Sequence, residues 1–267
     1  MVDPNDRPRR PFLSVRDVSK VFEIGGEPVE ALRRVNAVIE KGEFVCLIGA
    51  SGCGKSTLLR IIAGFEMPSA GEVTVYDHPI QGPGSDRGMV FQDYALFPWM
   101  TVRENIGFGP RQKGLAKARI REVTDEYLNM VGLTKFADRF PSQLSGGMKQ
   151  RVAIARVLAN EANILLMDEP FGALDALTRE QLQDELLQIW ARTQVTVLFV
   201  THSVEEATLL SDRVIVMTAG PGRIESDNPI TLARPRDVSA PDFNDARRRL
   251  TRKLTSHVAR RELRTAA

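Results

Sequence analysis

The sequence holds only two cysteines, and aromatic residues make up just 6% of its 267 positions. Cys46 lies in an apolar run and Cys53 in the glycine-rich stretch after it, so neither reads as half of a secreted disulfide framework. A reducing compartment is expected. Long apolar runs are also missing: nothing approaches the ~20 residues that cross a bilayer, and the opening MVDPNDRPRRP has no apolar signal core. If such a chain serves a membrane, it must dock on membrane-embedded partners. No internal repeat or low-complexity segment is evident, which sets repeat architectures aside.

What is present is an ordinary globular composition, 43% hydrophobic and 26% charged, in a chain long enough for one domain carrying an inserted subdomain. The net charge of +2 hides an asymmetry, because residues 231–267 hold ten Lys/Arg against four Asp/Glu. FLSVRDVSKVF shows strand-like alternation, and GEFVCLIGA is a continuous apolar run of the kind found in a fully buried strand. GEVTVY, GMVFQ, NILLMDE, VTVLFVTH and DRVIVMT are further strand candidates, and helical stretches such as ALTREQLQDELLQIWART separate the later ones. That alternation predicts a parallel sheet covered on both faces. The expected organisation is a flexible leader over 1–11, a core in two pieces (12–92 and 161–230), an inserted helical subdomain over 93–160, and a basic helical extension over 231–267. The extension places Phe243, Leu250, Leu254 and Val258 along one helical face.

The chemistry begins with Gly49-Ala50-Ser51-Gly52-Cys53-Gly54-Lys55-Ser56, which fits G-x-x-x-x-G-K-[ST] between a buried strand and a helix. Small residues let backbone N–H groups approach phosphate oxygens, and the helix N-terminus favours negative charge. Lys55 is expected to reach the β- and γ-phosphates, Ser56 to ligate Mg²⁺, and Thr57 to complete the phosphate-binding set. A plain glycine-rich turn is the alternative. Ile164 to Pro170 reads as a buried strand ending in Asp168 and Glu169, where open parallel sheets collect ligands. Asp168 suits Mg²⁺ and Glu169 suits a general base for water, although alone the pair could be solvated acids opening a loop.

Leu144-Ser145-Gly146-Gly147-Met148-Lys149-Gln150-Arg151 stands ahead of a helical stretch and makes a second anion-binding turn. With this octapeptide the chain resembles the nucleotide-binding subunits of ABC transporters, from about Phe12 to about Ile224. The resemblance implies an α/β fold: a P-loop NTPase (RecA-like) parallel-sheet core with an N-terminal antiparallel β subdomain and an inserted α-helical subdomain. It implies that Phe22 stacks on adenine, that Gln92 senses γ-phosphate and Mg²⁺, and that His202 contacts γ-phosphate. Taken singly, Phe22 fits a core residue, Gln92 a strand-end amide and His202 a structural histidine. Ala173-Leu174-Asp175 corresponds to a loop that crosses a dimer interface, and Ser145, Gly146 and Gly147 would serve ATP held by another subunit.

The implied activity is ATP hydrolysis coupled to transport, with ATP and Mg²⁺ as cofactors and two copies closing head to tail over two nucleotides. The implied partners are a second ATPase copy, two membrane-spanning permease subunits docking near Tyr94 to Thr101, and indirectly an extracytoplasmic solute-binding protein. The expected location is the cytoplasmic face of the inner membrane. The runs FQDYALFPWMTVRENIGFG and PFGALDALTRE look most like importers of the nitrate, sulfonate and taurine type. A nucleic-acid or ribosome ATPase built on the same head is the rival, but those proteins need a long coiled-coil insertion or a second ATPase head, and no nucleic-acid partner is expected. A nucleotide-gated binding module that hardly hydrolyses ATP is a third reading, opposed by the presence of Glu169 and His202.

Overall fold

The computed structural model describes residues 12–172 and 174–265, with side chains of the last helix described as far as residue 255. The leader over 1–11, Ala173 and the side chain of Val258 fall outside the described residues. The chain opens with β1 (Leu13–Ile24) and β2 (Glu27–Ile39), joined by Gly25 and Gly26. Both glycines have positive φ, 62° and 86°, which a two-residue hairpin turn twisted to match its strands requires. β3 (Phe44–Gly49), α1 (Lys55–Ala63), β4 (Ala70–Val75), β5 (His78–Pro79) and β6 (Arg87–Val90) follow. Four helices come next: α2 (Val102–Ile106), α3 (Phe108–Gln112), α4 (Lys117–Met130) and α5 (Gly146–Ala159). The chain then alternates through β7 (Ile164–Asp168), α6 (Ala176–Thr193), β8 (Thr196–Val200), α7 (Val204–Leu210) and β9 (Arg213–Thr218), and ends with β10 (Arg223–Pro229) and α8 (Pro241–Thr265).

Two sheets result. An antiparallel sheet takes the order β2-β1-β4-β5, and a larger sheet takes the order β10-β9-β3-β8-β7-β6. In the larger sheet β9, β3, β8, β7 and β6 are parallel, and only the edge strand β10 runs antiparallel. Strand periodicity explains how one sheet serves two cores. Phe44, Cys46 and Ile48 of β3 point to a core shared with α5, α6 and α7, while Val45 and Leu47 point to the opposite core with α1 and the antiparallel sheet. β3 is therefore apolar at every position, as a strand buried on both faces must be. Each Leu or Ile so buried contributes about 1.5–3 kcal/mol.

The helices α2 to α5 interrupt the βαβ alternation between β6 and β7, where Val102, Ile106, Val123, Leu128 and Val152 share one apolar cluster. Beyond β10 the chain is irregular until α8, so the basic extension over 231–267 is not helical throughout. Two of its arginines explain the irregular stretch. Arg236 Nη1 donates to the carbonyls of Thr208, Leu209 and Ser211 at the C-terminal end of α7, at 2.7, 3.1 and 2.7 Å. Arg234 pairs with Asp212 at 2.5 Å. Helix-end carbonyls lack internal partners and attract cations, so these charges tie the segment to the end of α7. Burial lowers the Arg236 pKa to about 10. α8 seats Phe243, Ala246 and Leu250 against the body, with Leu254 half-buried. Among the described residues no helix is long and apolar enough to cross a membrane.

Candidate active site

β3 runs into the glycine-rich loop, and the loop runs into α1. Gly54 caps that helix with φ 86° and no side-chain hydrogen bond. A Cβ there would lie 2.5 Å from Leu32 Cδ2 and 2.9 Å from the Ala31 carbonyl, so only glycine fits both the conformation and the space. The first N–H groups of α1 are thus left without a side-chain cap, which makes the helix N-terminus available to an anion. Ala50, Ser51 and Gly52 are exposed, Cys53 is buried, and Thr57 is half-buried on the first turn. Lys55 is only 6% exposed, and its Nζ donates to the carbonyls of Gly49 and Ala50 at 2.9 and 3.2 Å. Its ammonium is held over the loop it belongs to.

Four neighbouring parallel strands, β3, β8, β7 and β6, deliver the remaining groups at their carboxyl ends. Ser56 Oγ donates to Asp168 Oδ1 at 2.8 Å, joining the first turn of α1 to the end of β7. Next along, Glu169 has φ 46°, a left-handed conformation that a non-glycine residue holds only where its surroundings over-determine it. Its N–H donates to the Val200 carbonyl at 3.0 Å, and its carbonyl accepts from Gly172 N at 3.1 Å. These bonds fix a turn that lifts the carboxylate off the sheet edge. From the end of β8, His202 Nδ1 lies 3.1 Å from Glu169 Oε2. Gln92 follows β6 and is exposed; a Cβ on Gly172 would lie 3.5 Å from its Nε2 and 3.9 Å from Glu169 Oε2. Lys55, Ser56, Asp168, Glu169, His202 and Gln92 therefore converge along one sheet edge.

The other sequence-picked residues are elsewhere. Ser145 caps α5 by accepting from Met148 N at 3.3 Å, and Gly146 and Gly147 form the first turn of that helix. Gly147 faces Thr178 and Leu182 of α6, and Gly146 faces Leu174 and the Tyr94 hydroxyl. Asp175 caps α6, accepting from Thr178 N at 3.0 Å, and that N–H holds its carboxyl below the ordinary pKa. Among the described residues no hydrogen bond joins Ser145, Gly146, Gly147 or Asp175 to Lys55, Glu169 or His202. Phe22 sits half-exposed on β1 with Lys20 Nζ 4.8 Å above its ring.

Between β6 and α2, the segment from Tyr94 to Thr101 leaves Trp99 69% exposed, the second most exposed of the large apolar side chains described. Sequence reasoning missed what shapes this loop. Asn105, wholly buried, accepts from Phe97 N at 2.9 Å and donates to the carbonyls of Phe97, Met100 and Thr101 at 3.2, 3.1 and 3.0 Å. Arg156 of α5 donates to the Ala95 carbonyl at 2.8 Å and lies 5.2 Å from the Phe97 ring centroid. Thr101-x-x-Glu104 marks the start of α2 in the sequence, but nothing distinguishes Asn105 or Arg156 from surface residues of the same type.

A family model described as ABC transporter matches residues 32–172. Among curated relatives, the nitrate import ATP-binding protein of Synechocystis is 49% identical, covering 86% of this chain and 85% of its own. The taurine import ATP-binding protein of Roseobacter denitrificans is 50% identical, covering 83% of each. The bicarbonate transport ATP-binding protein of Synechococcus elongatus is 47% identical, covering 91% and 90%. Among solved structures, a dimeric ATP-binding cassette in a post-hydrolysis state with ADP and Pi aligns with TM-score 0.72 and 35% identity, over 83% of this chain and all of that one. With a P-loop opening α1, acids ending β7 and a helix-capping Ser-Gly-Gly turn in the insertion, the chain belongs to the ABC transporter family, as an ATP-binding, ATP-hydrolysing subunit of its importer group.

Proposed function

We propose that this chain drives uptake of a small solute bearing an oxyanion head, by ATP-dependent closure of two copies beneath two permease subunits. The observation that carries the catalytic part is the convergence of Ser56 with Asp168 at 2.8 Å and of Glu169 with His202 at 3.1 Å, at the ends of adjacent parallel strands. In this reading the loop from Gly49 to Gly54 surrounds the β- and γ-phosphates, Lys55 neutralises their charge, and Thr57 extends the set. Glu169 accepts the proton of the attacking water, and His202 holds Glu169 and the γ-phosphate in register. Gln92 reports the γ-phosphate to the loop that follows it. Phe22 supports the adenine.

A hydroxyl and a carboxylate 2.8 Å apart are hard oxygen donors of the kind Mg²⁺ takes when phosphates supply its remaining ligands. Ser56, Asp168 and Gln92 would hold it, and it would neutralise charge on the transferred phosphoryl group.

In this reading Ser145, Gly146 and Gly147, on a different helix from Lys55, serve ATP on the second copy, and Asp175 lies in the loop between copies. Trp99, exposed in a loop braced by Asn105 and Arg156, is the anchor for the permease subunits. The subunit then sits peripherally on the cytoplasmic face of the inner membrane, and an extracytoplasmic solute-binding protein delivers cargo. Relatives named for nitrate, taurine and bicarbonate are nearly equally similar, at 49, 50 and 47% identity. Their cargoes share an oxyanion head, which is the chemical class assigned here. The test is ATP turnover of the full-length chain and of Glu169→Gln, with and without co-purified permease subunits. Stimulation by the permeases and its loss in the variant are expected; wild-type turnover in the variant would overturn the assignment of Glu169.

A further inference from the structure

Two short helices in this fold begin with the pattern hydroxyl-x-x-Glu, and they use the glutamate differently. At α2 the box is complete: Glu104 N donates to Thr101 Oγ1 at 3.2 Å, and Thr101 N donates to Glu104 Oε2 at 2.8 Å. At α7 only half of it exists. Glu206 N donates to Ser203 Oγ at 3.2 Å, but Ser203 N donates to Thr201 Oγ1 at 3.0 Å, which frees the Glu206 carboxylate from the return bond. The carboxylate turns inward instead. Gln183 Nε2 of α6 donates to Glu206 Oε1 at 2.9 Å, and the two residues are only 6% and 7% exposed. The positive charge of Arg179 acts on this carboxylate.

A buried carboxylate is costly unless it is well paired, and an apolar pair of similar size would pack as well. Burial raises the Glu206 carboxyl above its ordinary pKa, and Thr201, Gln183, Arg179 and His202 oppose that rise. The placement gives the acid a use beyond packing. Ser203, the residue after His202, accepts from Glu206 N, and its own N–H donates to Thr201, the residue before His202. Across the contact stands α6, which opens at Asp175, and whose Arg179 Nη2 donates to the Leu174 carbonyl at 2.9 Å.

We propose that Glu206 and Gln183 form a buried positioning pair that ties the His202 turn to α6, so that the reach of His202 toward Glu169 depends on how the helix behind Leu174 and Asp175 is seated. The pair rests on the assignment of His202 and Glu169 made above. It acts through His202 rather than on the reacting groups. Because Arg179 and Gln183 are one helical turn apart on α6, exchanging the two partners keeps the carboxylate beside the same guanidinium.

The test uses the full-length chain at concentrations that drive dimerisation, with Mg²⁺ and ATP. Glu206→Ala is expected to lower kcat about tenfold while ATP KM stays within about twofold, since a misplaced catalytic group costs rate rather than ground-state binding. The double variant Gln183→Glu with Glu206→Gln, which restores an amide–carboxylate bond with its ends exchanged, is expected to return kcat to within about threefold of the parent. In a His202→Ala background, Glu206→Ala should cost nothing further, because the group it positions is gone. A double variant that regains the parent melting temperature but not its kcat would reduce the pair to a packing contact and overturn the proposal, whether or not Glu206→Ala folds. Additive losses in the His202→Ala background would overturn it equally. Full turnover in His202→Ala alone would instead remove the site assignment on which the pair depends.

Discussion

The chain carries two helix N-termini suited to phosphate, and they are equipped in opposite ways. At α1 the cap is Gly54, with no side-chain hydrogen bond, and Lys55, Ser56, Asp168, Glu169 and His202 gather around or beside it. At α5 the cap is Ser145, whose hydroxyl accepts from Met148 N, and Gly146 and Gly147 follow it. In the function proposed above, the first terminus supplies the lysine, metal donors and base for phosphoryl transfer, and the second supplies a hydroxyl, two glycines and a helix dipole. An anion-binding turn on a different helix from Lys55 suits a nucleotide whose other side is already held. The difference between α1 and α5 is thus a physical argument for a site shared between copies.

The comparison can be broken at several points. Glu169→Gln should lower turnover about 10²- to 10⁴-fold while leaving equilibrium ATP binding intact, as measured with radiolabelled nucleotide. Gly146→Asp places a negative charge at the α5 turn and should depress turnover about as far, with ATP affinity of the isolated chain within about twofold of the parent. Mixing Gly146→Asp copies with Lys55→Ala copies sharpens the point, because each mixed dimer then contains one site intact on both sides. Recovered ATPase in the mixture supports the division of labour, and a mixture as inactive as its components refutes it. Lys55→Ala alone should weaken ATP binding about 10- to 100-fold, the loss of one charge-assisted contact. The smallest effect belongs to Trp99→Ala, which should leave basal hydrolysis unchanged and lower permease-stimulated hydrolysis several-fold; unaltered stimulation would remove the loop from the docking surface.

Much of this was legible in the sequence because the informative features are local. The buried strands β3, β7, β8 and β9 are short apolar runs ended by Gly, Asp-Glu, His or Thr, and α6 spans the stretch from Ala176 to Thr193 read as helical. The phosphate loop and the Ser-Gly-Gly turn are contiguous motifs whose chemistry depends on neighbours in the chain. What escaped is non-local. β10 reads Arg-Ile-Glu-Ser-Asp-Asn-Pro, and becomes a strand because β9 offers it an edge, not because its residues favour one. Arg234 and Arg236 read as members of a basic run, yet one pairs with Asp212 and the other caps α7 across the fold. Asn105, Arg156 and the Gln183–Glu206 pair are ordinary polar residues by type. Only burial and a partner far along the chain separate them from surface side chains.

The helix α5 joins two of these findings. Its first residues form the Ser-Gly-Gly turn, and Arg156 in its last turn grips the Ala95 carbonyl and lies close to the Phe97 ring beside Trp99. At about 1.5 Å of rise per residue, the turn and Arg156 stand roughly 15 Å apart on one rigid rod. A stiff rod converts a small rotation at one end into a displacement at the other without any rearrangement inside it. A pull on the turn and a push on the loop therefore become one mechanical event, carried along a single element of secondary structure.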